Sequence, residues 1–304
     1  MSGKDLGPPN ISFMKCEAWW RQYQHFLHTS GYQLRAKFEP SWKPPWKINY
    51  EMFKSEERAL HSASNLNSFA FSSYVMDAIR VHDGRRVTLK RVSKSRFPLE
   101  VELSVFLSSS PLSVDPRNHC VPIHDVLQSP HDPDHQIIVM PFLRKFFQPT
   151  FDTIGELLEP FRQILEGVEF LHRHFIAHRQ LYPKGFHPAK PRMNETFTGS
   201  TKHITPTECW PRHLTIDFGV SRRYSPPDIP YEPVSNCGNR YHKYSLLQFL
   251  VLLVDAMIQK EPSVRPTISE VVHRFAVLCN SIFYTLIQGV AQIDQKWEIL
   301  RSTD

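Results

Sequence analysis

Two β-rich runs, with alternating apolar and polar residues in the second, mark the clearest pair of strands in the chain. Residues 74–80 and 85–92 are both rich in β-formers, and an Asp-Gly turn lies between them. In the second run, Val87 and Leu89 fall on one face of the strand and Lys90 falls on the other. The pattern predicts a β-hairpin with one buried face.

Helical periodicity marks three further segments. Apolar residues recur at helical spacing over residues 98–107 and again over residues 152–174. In the second segment Pro160 lacks a backbone donor, which predicts that a new helix begins there after a short first one. The longest apolar run, from Leu246 to Ile258, is too short to span a bilayer and predicts a buried helix.

The first 60 residues are rich in tryptophan and proline. Residues 19–32 predict a short amphipathic helix, and residues 40–46 predict an extended strap whose rings pack on a neighbouring surface. The alternative is a docking site for a protein partner. We favour packing on the chain's own domain, because buried tryptophans usually belong to a core.

Composition limits the function classes. The 304 residues carry 36 basic and 30 acidic side chains, a net charge of +6 that favours no nucleic acid partner. A basic cluster on the predicted hairpin is interpreted as a solvated edge that resists strand association. The five cysteines contain no CxxC pair, and no apolar signal opens the chain. These features predict an intracellular protein, cytoplasmic or nuclear, with no membrane partner.

Two motifs carry candidate chemistry. Phe170-Leu-His-Arg-His-Phe-Ile-Ala-His178-Arg179-Gln180 is followed by His213-Leu-Thr-Ile-Asp217-Phe-Gly. Together they resemble the His-Arg-Asp catalytic loop and the Asp-Phe-Gly segment of protein kinases, and Val-Thr-Leu-Lys90 resembles the Val-Ala-Ile-Lys strand. Zinc binding by the histidines of the first motif is disfavoured, because His172 and His174 project from different sides of a helix.

The resemblance covers residues 60–280 and implies an α+β, two-lobed kinase-like fold with a shortened helical second lobe. It implies ATP and Mg²⁺ as cofactors. Lys90 would grip the phosphates and pair with a helix glutamate, for which Glu102 matches best and Glu100 is the alternative. The adenine base would lie beside Met140, and Pro141 to Leu143 would form the hinge between the two lobes. Asp217 would hold the metal.

The chain departs from this family at the residues that perform the transfer. Gln180 stands in place of the catalytic aspartate, and Gly185 stands where the second metal ligand is expected. No glycine occurs between Gly31 and Gly84, so the glycine-rich phosphate loop is absent. Residues 181–188 are similar to a loop insert of fungal-type kinase-like domains, which points to a segment excised after Arg179. No activation segment is recognisable.

We therefore expect a pseudokinase with impaired or absent phosphoryl transfer and at most weak ATP binding, which acts through an unknown protein partner. An active serine/threonine kinase with a rearranged loop is the alternative. A product of a decaying gene and a binding module of another class are further alternatives. The expected organisation is an N-terminal extension over residues 1–60, a first lobe over residues 61–143 and a truncated second lobe over residues 144–304.

Overall fold

The computed structural model describes residues 15–41, 74–144, 153–179, 187–188, 211–225, 248–259 and 261–282. The helices are α1 (Lys15–Gln22), α2 (Gln24–Thr29), α3 (Glu100–Ser108), α4 (Ile154–Arg173), α5 (Gln248–Met257) and α6 (268–282). The strands are β1 (Tyr32–Gln33), β2 (Val75–Arg80), β3 (Arg86–Ser93), β4 (Asp125–Gln128), β5 (His135–Pro141), β6 (Leu143–Arg144), β7 (Ile176–Ala177), β8 (His187–Pro188) and β9 (Arg222–Arg223). The fold mixes helices with antiparallel sheet, which confirms the α+β class.

The chain divides into two compact units. The first comprises Met1–Ser113, Val121–Pro149 and Phe186–Pro211, and the second comprises Val114–Cys120, Thr150–Gly185 and Arg212–Asp304. The described part of the predicted N-terminal extension packs within the first unit. The lobe boundaries drawn from the sequence stay a prediction.

A five-stranded antiparallel sheet organises the first unit. Its strand order is β1-β2-β3-β5-β4, and α3 is inserted in the chain between β3 and β4. Val87 pairs with Ala78 across the predicted hairpin and Leu89 pairs with Met76, which confirms the hairpin and its buried face. Gly84 adopts a φ of 66° in the turn, a conformation that a glycine reaches without strain.

The buried face of the sheet is covered by the N-terminal helices. Trp20, Tyr23 and Leu27 from α1 and α2 share one core with residues of β2, β3 and β5. Trp19 stacks on Tyr23 with ring centroids 3.9 Å apart. This confirms that Trp19 and Trp20 serve the chain's own core. The segment forms two short helices rather than one, and the predicted strap over residues 40–46 lies almost wholly outside the described residues.

Helix α4 is the longest element of the second unit. The prediction that a second helix begins at Pro160 is wrong, because Pro160 lies inside one continuous helix of 20 residues. Leu158 and Phe161 on either side of the proline pack on one core with Leu250 of α5 and Phe275 of α6. Packing on both sides of the proline outweighs the hydrogen bond that it cannot donate.

Helix α5 confirms the helix predicted in the longest apolar run, although only part of it is buried. Leu250 and Leu253 are in the core, whereas Leu252 is 83% exposed. Within the described ranges, no helix is long and apolar enough to cross a membrane.

Candidate functional site

Lys90 lies near the middle of the sheet in the first unit. It pairs with Val75 of β2 and with Ile138 of β5, so its backbone is held from both sides. Because Leu89 points into the core, the side chain of Lys90 projects from the opposite face. There its Nζ forms an ion pair with Oε1 of Glu100. The structure therefore places the strand lysine against the first turn of α3.

The partner of Lys90 is Glu100, the alternative that the sequence left open. The Glu100 side chain is 3% exposed and that of Lys90 is 16% exposed, so the pair is almost dehydrated. Glu102, which the motif spacing favoured, is exposed on the same helix. The reason is chain length: only residues 94–99 separate β3 from α3, and this short connection keeps the first residue of the helix nearest the strand.

Of the residues predicted to line a base, Met140 lies on the same face of the sheet as Lys90. Met140 of β5 is buried and is the direct cross-strand partner of Thr88. Leu143 follows on β6, is half-buried and pairs with Pro188 of β8. Lys90, Glu100 and Met140 are thus brought together on one side of a single sheet.

In the second unit the segment that ends at Arg179 contacts the segment around Asp217. His178 and Phe218 are both buried, and their rings meet edge to face with centroids 5.0 Å apart. The Nε2–H of His178 donates to the Ile216 carbonyl at 3.1 Å. The His178 carbonyl in turn accepts from the Ser221 hydroxyl at 3.2 Å. These contacts fix the chain directly before Asp217 and directly after it.

The backbone is strained at the two positions that matter most. Arg179 has a φ of 64° and Asp217 has a φ of 72°, in the left-handed region that costs a non-glycine residue roughly 1 to 3 kcal/mol. The strain is held by pairing of β7 with β9 and by a 3.4 Å hydrogen bond from Arg179 Nη1 to the Val220 carbonyl. Strained conformations of this kind concentrate at functional sites.

A second set of contacts supports the segment that leads to Asp217, and the sequence analysis did not identify these contacts. The Thr215 amide donates to the His119 carbonyl at 2.6 Å. Nε2 of the His119 ring lies 2.8 Å from Oε2 of Glu166 on α4. The next residue of that helix is Gly167, and a Cβ there would stand 3.0 Å from the Cβ of His119. A glycine inside the apolar periodicity of α4 was the one available signal of this close approach.

Gln180 and Gly185, two further positions predicted from the sequence, lie outside the described residues. In the ranges that are described, no three His, Cys, Asp or Glu side chains gather into a metal-binding group.

Comparison with known proteins does not extend this description: no model of a protein family matches the chain, and a search of curated proteins returned no significant match.

Proposed function

We propose that the chain is a protein kinase-like protein with a two-lobed fold and with impaired or absent phosphoryl transfer, a pseudokinase that acts by binding another protein. The observation that carries the proposal is the dehydrated ion pair between Lys90 and Glu100. Protein kinases need such a pair, from the third strand to the helix that follows it, to hold the phosphates. Here the same two elements occur in the same order.

The second unit supplies independent support. The resemblance pairs a His-Arg segment after a long helix with an Asp-Phe-Gly segment, and these segments lie in contact through His178 and Phe218. Left-handed backbone at Asp217 is the kind of strain that a chain retains where a side chain must be aimed. Asp217 is the residue proposed to hold Mg²⁺, with ATP bound at most weakly.

Impairment follows from the chemistry of the substituted residues. The amide of Gln180 cannot take a proton from a substrate hydroxyl, and loss of a general base costs roughly 10²- to 10⁴-fold in rate. Gly185 has no side chain to coordinate a second metal ion. A partner-binding role needs none of these groups, and the 83% exposure of Leu252 is in keeping with a shortened second lobe.

The second candidate is an active serine/threonine kinase with a rearranged loop. It is favoured by the survival of Lys90, Glu100 and Asp217 together. Release of ADP from ATP and Mg²⁺ in the presence of a generic protein substrate separates the two candidates. Activity that disappears in both Lys90→Ala and Asp217→Ala would replace the pseudokinase proposal with this one. If the unmodified chain releases ADP no faster than the two variants do, the result supports the pseudokinase proposal.

The two-lobed fold has its own test. In a background without other cysteines, Lys90→Cys and Asp217→Cys are combined and treated with a short bis-maleimide. A kinase-like cleft brings these positions together, so we expect an intramolecular cross-link. Gln22→Cys with Asp217→Cys is the control, because α1 covers the opposite face of the sheet. Equal yields in the two pairs, or none in either, would refute the two-lobed arrangement.

A further inference from the structure

One row of the sheet in the first unit has an unexpected charge. Asp77 of β2, Thr88 of β3 and Met140 of β5 are direct cross-strand partners, and such partners project from the same face. These three side chains lie on the same face of the sheet as Lys90. Met76 and Ala78, the chain neighbours of Asp77, point into the core on the opposite face. The resemblance to kinases puts Met140 beside the base of a nucleotide, and Thr88 is its cross-strand partner, so we call Asp77, Thr88 and Met140 the base row.

Asp77 is buried and ion-paired. Only 8% of the residue is exposed, and its Oδ1 lies 3.2 Å from Nη2 of Arg35. Arg35 follows the edge strand β1, so the partner comes from the N-terminal segment. Arg86 lies two residues before Thr88 on the same face, with its guanidinium 5.2 Å from the ring centroid of Phe142. Burial lowers the pKa of Arg86, and the Asp77 carboxylate opposes that shift.

This arrangement is unsuited to a purine base. Sites for small aromatic ligands are mostly apolar and use a few polar groups to fix orientation. A base that lies along a sheet presents its flat side, whose π-electrons are negative, and a carboxylate beneath it is repelled. Covering the Arg35–Asp77 pair would also remove its remaining hydration, and a flat ring offers no hydrogen bond in return.

We propose that Asp77, paired with Arg35, determines what this face of the sheet can bind, because the ion pair occupies the base row and excludes purine nucleotides. The inference rests on the proposed function, which identifies the row as the one for a base. The inference goes further, because it names Asp77 as the residue that excludes a purine base from this row. The N-terminal segment thus contributes a side chain to the site as well as covering the far face of the sheet.

Calorimetric titration of the full chain with ADP and MgCl₂ tests the proposal. Asp77→Val removes the carboxylate and is expected to bind ADP at least tenfold more tightly than the unmodified chain. Lys90→Met added to Asp77→Val should reverse that gain by removing the cation for the phosphates. Arg35→Met is the matched control: it breaks the same pair but leaves the carboxylate in the row, so no gain is expected.

Hydrogen exchange of β3 is compared in every variant to show that the sheet still folds. If Asp77→Val does not fold, Asp77→Asn keeps the shape without the charge and should still gain at least threefold. A folded Asp77 variant without a gain overturns the inference, and so does an unmodified chain that binds ADP as tightly as the variants. The cross-link between positions 90 and 217 reports on the proposed function separately, so either idea can fail alone.

Discussion

Breaking the ion pair between Lys90 and Glu100 should destabilise the first unit more than any exposed pair does. Removing one partner of a buried pair costs roughly 3 to 5 kcal/mol, because the other charge is left without compensation. The Glu100 side chain is 3% exposed and that of Lys90 is 16% exposed. Since the ammonium keeps some access to water, we expect Glu100→Gln to cost about 3 kcal/mol, the low end of that range.

The assay is urea-dependent hydrogen exchange followed by mass spectrometry, which assigns the free energy of opening to peptides of β3 and α3. Arg85→Gln is the control in the same sheet, because its contact with Asp83 spans 3.6 Å and its side chain is 79% exposed. We expect that change to cost less than about 1 kcal/mol. The double change Lys90→Met with Glu100→Leu should recover most of the loss. A cost for Glu100→Gln no larger than the control would refute a dehydrated pair.

Three further outcomes are expected. Gly167→Ala should lower stability by about 1 to 2 kcal/mol, measured by urea unfolding, because the new methyl group meets the Cβ of His119 at 3.0 Å. Burial raises the pKa of the Cys120 thiol to about 12, so it should not react with dithionitrobenzoate at pH 8 until the chain unfolds. Burial and the Asp125 carboxylate raise the pKa of Tyr32 to about 12. Because the unfolded chain loses this proton near pH 10, the stability that Tyr32 contributes below pH 10 should be lost towards pH 12. Tyr32→Phe should make that loss of stability smaller.

Each of these has a result that would contradict it. Replacing an ordinary helical glycine by alanine stabilises a protein by about 0.8 to 1 kcal/mol. If Gly167→Ala raised the free energy of unfolding, His119 would have to move away from the new methyl group at little cost. The thiol test compares chains that retain Cys120 alone or the half-buried Cys279 alone. Equal rates would mean that Cys120 is accessible. If Tyr32→Phe loses stability above pH 10 as steeply as the unmodified chain, another group is responsible.

Local pattern was sufficient for much of the fold. The hairpin over β2 and β3, the alternation that sets Lys90 opposite Leu89, helix α3, and the helical character of the α4 segment all follow from the sequence, although the break predicted at Pro160 does not occur. These features depend on spacing within a few residues of each other, where the periods of strand and helix apply. The α+β class was implied by the resemblance to kinases, and the described helices and antiparallel strands confirm that class.

Contacts between distant segments were not predictable in the same way. The glutamate that meets Lys90 depends on how a short connection directs α3, and Pro160 stays within α4 because a distant core holds both of its sides. The close approach of His119 to Gly167 likewise joins residues that are far apart in the sequence. A sequence lists such residues as candidates without saying which of them meet.

By itself the sequence determined the periods of the hairpin strands and of the helices, whereas the resemblance to kinases and the reading of Gln180 in it stay predictions. Only the tertiary structure decided that Glu100 faces Lys90 and that Arg35 reaches Asp77. The physical reason is that side-chain direction along one element is local. The choice of a charge's partner depends instead on which elements pack together and how much water they exclude.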